Sequence, residues 1–125
     1  MLGVDVVSID RVRLLLESSP GLEKRLFTDA ERAYCNSQRD AAQSFAGTLA
    51  AKEAVIKALR LGPLVAWTRR VEIVRDDSGA PSARVGGRSV EVSISHDGGV
   101  AMAAALALPT DALFSRSPAP ERDPD

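Results

Sequence analysis

Phe45-Ala46-Gly47-Thr48-Leu49-Ala50-Ala51-Lys52-Glu53-Ala54-Val55-Ile56-Lys57-Ala58-Leu59 reads as one helix. At roughly 100° per residue, Phe45, Leu49, Ile56 and Leu59 share one face, Lys52 falls in its middle, and Glu53 and Lys57 lie along one edge. Glu53 four residues ahead of Lys57 is the favourable order for an intrahelical ion pair, worth only ~0.3 kcal/mol. Lys52 asks for more, because a cation amid apolar positions must snorkel, pair with an anion or contact a ligand. Ser44 is placed to cap this helix, and Gly62-Pro63 ends it.

Upstream, Leu2, Val4 and Val6 alternate with Gly3, Asp5 and Val7, a pattern that suits a strand buried on one side with Asp5 projecting from the opposite face. Ile9 to Glu17 has helical spacing and stops at the breaker cluster Ser18-Ser19-Pro20-Gly21. Thr28 followed by Glu31 is a capping-box pattern, which predicts a short helix over Asp29 to Asn36. Beyond Gly62-Pro63 the period becomes two. Val71, Ile73 and Arg75 alternate with polar neighbours, Asp77-Ser78-Gly79 makes a turn, and Ser82 to Val85 returns. Val90, Val92 and Ile94 alternate with Glu91, Ser93 and Ser95, and His96 to Gly99 connects to Val100–Leu108. Alanine there permits a helix, but the two glycines and the tight connection favour a strand. The fold class is α+β: one long central helix on a small antiparallel sheet, with shorter helices toward the N-terminus. Residues 1–108 form the expected domain, and the proline-bearing stretch 109–125 is expected to be a mobile tail.

A chain of 125 residues with 45% hydrophobic content is sized for one domain with a real core. Sixteen basic against 17 acidic side chains give a net charge of −1, so no broad basic field points to nucleic acid or an anionic membrane. Any basic surface is local, and Arg11, Arg13, Lys24, Arg25, Arg32 and Arg39 are its candidates. No apolar run approaches the ~20 residues that span a bilayer. The single cysteine, Cys35, has no internal disulfide partner, which fits a reducing cytoplasm.

Asp5 and Glu53 bring two oxygen donors together if the first strand packs on the long helix. That donor set suits Mg²⁺, which keeps several waters and completes its shell with substrate phosphates. Lys57, one turn after Glu53, can offset charge on a transferring phosphoryl group, and Ser93, Ser95 and His96 can donate to a phosphate monoester. There is no nucleophile elbow, no second histidine, and no Walker or dinucleotide loop.

Gly3-Val4-Asp5, Ala50-Ala51-Lys52-Glu53-Ala54 with Lys57-Ala58, and Ser93-Ile94-Ser95-His96-Asp97, in this order and spacing, resemble the holo-acyl-carrier-protein synthase family, the short type of 4′-phosphopantetheinyl transferase. Leu26-Phe27-Thr28 with Glu31, Phe45-Ala46-Gly47, and Trp67 ahead of Val71-Glu72-Ile73 extend the likeness over residues 1 to 108. The resemblance implies the phosphopantetheinyl transferase fold. It also implies Mg²⁺-dependent transfer of 4′-phosphopantetheine from coenzyme A to a serine of an apo acyl carrier protein, releasing 3′,5′-adenosine bisphosphate. It makes Asp5, Glu53 and Lys57 catalytic, with Asp5 and Glu53 on the metal. Lys52, Lys57, Ser93, Ser95 and His96 become coenzyme A contacts, and Arg11, Arg13 and Arg25 carrier-protein contacts. Members of this type are homotrimers with clefts between protomers, and no nucleic-acid or membrane partner is implied. Three places depart from the family pattern. Thr48-Leu49 replaces Arg-Phe, Arg60-Leu61-Gly62 replaces a more glycine-rich helix exit, and the path from Arg84 to Ser93 lacks a helix that relatives carry. A binding module that keeps the coenzyme A or carrier surface without transferring anything is the second reading.

Overall fold

The computed structural model describes residues 1–108. Its elements are β1 (Leu2–Ser8), α1 (Ile9–Ser18), α2 (Leu22–Leu26), α3 (Asp29–Asn36), α4 (Ala41–Ala58), α5 (Leu64–Trp67), β2 (Glu72–Arg75), β3 (Pro81–Val85), β4 (Arg88–Asp97) and β5 (Val100–Leu106). The five strands form one antiparallel sheet in the order β1-β5-β4-β3-β2, and α4 packs across one face of it, chiefly on β1 and β5. The expected α+β class is observed; the stretch 109–125 lies outside the described residues.

The long helix starts a turn earlier than expected. Asp40, not Ser44, is its N-cap, with the side chain accepting from the Gln43 amide at 3.1 Å. Ala41, Ala42 and Gln43 are good helix formers, so nothing delays the start once an acceptor precedes them. At the other end, Leu61 N donates to Ile56 O at 2.9 Å and Arg60 N to Lys57 O at 3.2 Å, the two bonds of a Schellman cap. Arg60 takes the left-handed position with φ 57°, where glycine is the usual occupant. The capping box of α3 forms as read: Glu31 N donates to Thr28 Oγ1 at 3.2 Å and Thr28 N to Glu31 Oε1 at 2.9 Å. The short helices α2 and α5 were not legible, since at five and four residues they are too short to show a helical period.

Two-residue turns join β3 to β4 and β4 to β5. Gly86 and Gly87 have φ 57° and 81°, and Gly98 and Gly99 have φ 57° and 80°. Positive φ at both positions is what the favoured hairpin turn requires. The first pair joins Val85 directly to Arg88, so the segment from Arg84 to Ser93 is a plain hairpin. The second joins Asp97 to Val100, and His96 therefore belongs to β4 rather than to a loop.

One expectation is reversed. On β1 the side toward α4 carries Gly3, Asp5 and Val7, while Leu2, Val4 and Val6 face outward at 68%, 46% and 57% exposure. The pattern had the right period and the opposite phase. The inward face is decided by steric fit instead: Ala50, Ala51, Ala54 and Ala58 of α4 meet Ala103 and Ala105 of β5 and the adjoining Ala107, all buried, and β1 approaches α4 at Gly3. A Cβ on Gly3 would stand 2.7 Å from Ala58 N and overlap the Ala54 carbonyl outright. We therefore expect Gly3→Ala to destabilise the fold by about 3 kcal/mol or more, because backbone on both sides has no rotamer to yield. Thermal melts should show Tm lowered on the order of 10 °C; an unshifted melt would contradict this account of the β1–α4 contact.

Candidate active site

Asp5 leaves β1 two residues after the glycine contact, on the same face, and meets the edge of α4. Lys57 Nζ donates to Asp5 Oδ1 at 2.8 Å and to the Val4 carbonyl at 3.1 Å. Glu53, one helical turn earlier, stands near enough to Asp5 for the two carboxylates to act on each other. Burial, and then the nearby Asp5 carboxylate, push Glu53 up to about 8, with Lys57 opposing. Asp5 Oδ2 is buried with no hydrogen-bond partner. Two converging carboxylates, one holding an orphaned oxygen, make an unbalanced site in the bare protein, and a hard divalent cation with oxygen preference fits that donor set. Among the described residues no third histidine, cysteine, aspartate or glutamate joins them, so such a cation would draw its remaining ligands from water or a bound substrate. Lys57 is the open side of the group, its side chain 57% exposed against 12% for Asp5.

His96 belongs to a different concavity. Its Nε2 lies 3.2 Å from Gln43 Nε2; with the amide donating, the imidazole nitrogen accepts. Both line a cleft of about 610 Å³ between the start of α4, α3 and the β2–β3 hairpin, together with Tyr34, Arg39 and Arg75. The Arg75 guanidinium stacks on the Tyr34 ring at 4.7 Å. Asp5 and this cleft share a row of inward positions, Asp5 beside Ala103 and Ala103 beside Ile94, but Ala103 is buried beneath α4. One chain therefore holds the carboxylates and His96 apart. Ser93 and Ser95 are corrected more firmly. Alternation along β4 turns them to the outward face, away from His96, where Ser95 pairs with Met102 and Ser93 with Ala104. The three do not form one loop of donors.

Lys52 is also corrected. It is fully buried, ion-paired with Glu31, and donates to Leu26 O at 2.9 Å, with its ammonium 5.4 Å from the centre of the Phe27 ring. Burial pulls it below the ordinary lysine range and Glu31 opposes that shift. It is an internal strut, not a surface that meets coenzyme A. Glu31 is equally enclosed and also accepts from Thr28 N at 2.9 Å and Ile73 N at 2.7 Å. The expected basic surface is dispersed. Arg11 and Arg25 are exposed, whereas Arg13 reaches Asp40 at 3.4 Å and Arg32 holds Glu23 at 3.0 Å. Tyr34, Arg39, Gln43 and Arg75 were missed as cleft residues. In the sequence Arg39 stands out only as part of a basic surface and Arg75 only as an alternating strand position, and nothing local marks Tyr34 or Gln43.

A family model described as the 4′-phosphopantetheinyl transferase superfamily matches residues 1–107. The holo-[acyl-carrier-protein] synthase of Streptomyces avermitilis is 43% identical over 116 residues, which cover 84% of this chain and 94% of that protein. Among solved structures, the Helicobacter pylori holo-[acyl-carrier-protein] synthase in complex with coenzyme A aligns with TM-score 0.71 and 28% identity, over 85% of this chain and 98% of that one. A Bacillus anthracis holo-(acyl-carrier-protein) synthase in complex with CoA (3′,5′-ADP) aligns with TM-score 0.73 and 28% identity, over 83% and 91%. No helix among the described residues is long and apolar enough to cross a membrane.

The enclosed Glu31–Lys52 pair yields an asymmetric expectation. Glu31→Gln removes the anion from a buried ammonium and sets an amide donor against backbone donors, so it should cost about 3–5 kcal/mol. Adding Lys52→Met should recover part of that loss, because the stranded charge is gone. Denaturant midpoints of the three variants measure the coupling. Equal midpoints for Glu31→Gln and the parent would mean that the pair is not what closes this corner.

Proposed function

Because this chain belongs to the 4′-phosphopantetheinyl transferase superfamily, we infer that it is a transferase of the holo-[acyl-carrier-protein] synthase type, moving 4′-phosphopantetheine from coenzyme A to a serine of an apo acyl carrier protein. The observation that carries the chemistry is the meeting of Asp5, Glu53 and Lys57 where β1 touches α4. The serine oxygen forms a bond to the β-phosphorus of coenzyme A. The bond from that phosphorus to the bridging oxygen breaks, and 3′,5′-adenosine bisphosphate leaves with the electron pair. The serine proton passes to a site carboxylate or to water. Mg²⁺ held by Asp5 and Glu53 would offset the charge of both carboxylates and of the diphosphate. Lys57, exposed at the rim, orients the diphosphate and offsets charge on the departing oxygen. His96, with Arg39 and Arg75 around the same cleft, is suited to the 3′-phosphate.

The separation of that cleft from the carboxylates within one chain supports a shared site. We assign the carboxylates of one copy to the same coenzyme A as the His96 cleft of a neighbour, in a homotrimer. The outward face of β1 and β5 supplies the means of association: Leu2, Val4, Val6, Met102 and Leu106 are each 46–68% exposed and lie side by side in register. A contiguous apolar patch of this kind is the mark of an interface.

Mass spectrometry of several apo carriers incubated with coenzyme A and Mg²⁺ tests the reaction, with gain of the phosphopantetheine mass on a serine as the expected result. Asp5→Asn and Glu53→Gln should each lower transfer more than about tenfold while circular dichroism stays that of the parent, since an amide keeps shape and loses anionic ligation. Near-parental turnover across a Mg²⁺ titration in both folded variants would remove the two-carboxylate site.

The shared site makes a separate expectation. Val6→Glu at the centre of the outward face should yield monomers by light scattering. Asp5→Asn and His96→Ala chains, each weak alone, should regain roughly a quarter of parental activity when unfolded and refolded as an equal mixture, the statistical share of interfaces with both groups intact. A mixture no better than its components would confine the site to one chain.

A further inference from the structure

The short helix α2 is anchored lightly by apolar contact and is also held by polar tethers. None of its residues is fully buried; Leu22 and Leu26 are half-buried, and Leu26 packs on the cluster around Phe27 and Phe45. Two cations from elsewhere in the fold take its carbonyl groups as well. Lys52 donates from inside the core to Leu26 O at 2.9 Å, and Arg69, just ahead of β2, donates to Lys24 O at 2.7 Å. These acceptors are ones that a helix end leaves open. The helix's own acid, Glu23, is taken up by Arg32 at 3.0 Å and Asn36 at 3.2 Å. Lys24 and Arg25 are exposed, and neither has an ion-pair partner among the described residues. A five-residue segment with two unneutralised cations is thus fastened to the helix that carries Glu53, through the residue immediately before Glu53.

We propose that Lys52 and Arg69 are positioning residues for the acceptor protein: they fix α2 relative to α4 so that Lys24 and Arg25 meet an acidic surface on the carrier at a set distance from the reacting phosphorus. This rests on the carrier-protein reading given above. It gives the buried lysine a role in the reaction that does not require contact with coenzyme A. Fixed charges at an interface rim act mainly on encounter, so the effect belongs to the carrier's apparent KM.

Arg69→Met removes one tether from an exposed position and leaves the Glu31–Lys52 pair in place. The expected result is an apparent KM for the apo carrier raised about fivefold, within the span over which association varies among variants of one interface. The KM for coenzyme A and kcat should stay parental, and amide hydrogen exchange should quicken over residues 22–27. Arg69→Lys, which restores a donor, should bring the carrier KM back. In a Lys24→Ala/Arg25→Ala background Arg69→Met should add nothing, as coupling through the same two charges demands. A parent that modifies carriers while Arg69→Met keeps the parental carrier KM overturns the positioning role alone, as do equal rises in both KM values. A parent that modifies no carrier overturns the acceptor reading and this inference together.

Discussion

The close approach of β1 to α4 is the constraint on which the remaining structure depends. Helices usually keep a side chain's distance from a sheet; here glycine on the strand and alanine on the helix remove that spacer. Asp5 is two residues beyond Gly3, on the same face by the period of the strand. Glu53 and Lys57 are one turn apart on the helix edge. With the backbones this near, short side chains suffice to bring an aspartate, a glutamate and a lysine together, and an ordinary helix-on-sheet spacing would leave Asp5 short of its partners. The glycine is therefore as much a part of the site as the carboxylates.

Rotation of α4 about its own axis is the remaining freedom, and the Glu31–Lys52 pair limits it. Successive helical residues differ by about 100° in direction. Holding Lys52 in the corner made by Leu26, Phe27 and Glu31 thereby fixes where Glu53 points, toward β1. Buried ion pairs are weak as sources of net stability, because desolvation offsets most of the attraction. Their better-attested use is to choose one arrangement among several of similar energy. Glu31 suits that use, since one carboxylate caps α3, receives an edge of β2 and neutralises a cation from α4. Three elements are registered against each other at one buried point.

Much of this was readable in the sequence where a local rule had a single outcome. Thr28 and Glu31 announced a helix start, Gly98-Gly99 announced a hairpin, and the Lys-Glu-Lys spacing announced a helix edge. Asp5 and Glu53 were identified as a pair because their residue types and the packing of first strand on long helix allowed one chemistry. Two of the misreadings depended on a partner distant in sequence. Period two in Leu2 to Val7 gives alternation but not which side is inside, and the sheet has apolar residues on both. Lys52 needed an anion, and its anion was already assigned to a capping box. Ser93, Ser95 and His96 are adjacent in sequence, but in a strand adjacency means opposite faces. The short helix α2 carried no periodic signal because five residues are too few to show one.

The outward apolar face and the inward carboxylate are two results of one choice of phase. Turning Leu2, Val4 and Val6 to the core would satisfy the hydrophobic pattern of the strand, yet it would swing Asp5 to the far side of the sheet and leave Glu53 and Lys57 without it. With Asp5 inward, three large apolar side chains per chain remain in water beside Met102 and Leu106, at about 25 cal/mol for each Å² that an association could bury. In the proposed trimer that surface is covered, and the cleft around His96 is brought to a neighbour's carboxylates by the same contact. On that proposal oligomerisation would not decorate a finished enzyme. It would recover the burial forgone in turning Asp5 inward, and the phase of one seven-residue strand would link the chemistry of the site to the proposed assembly.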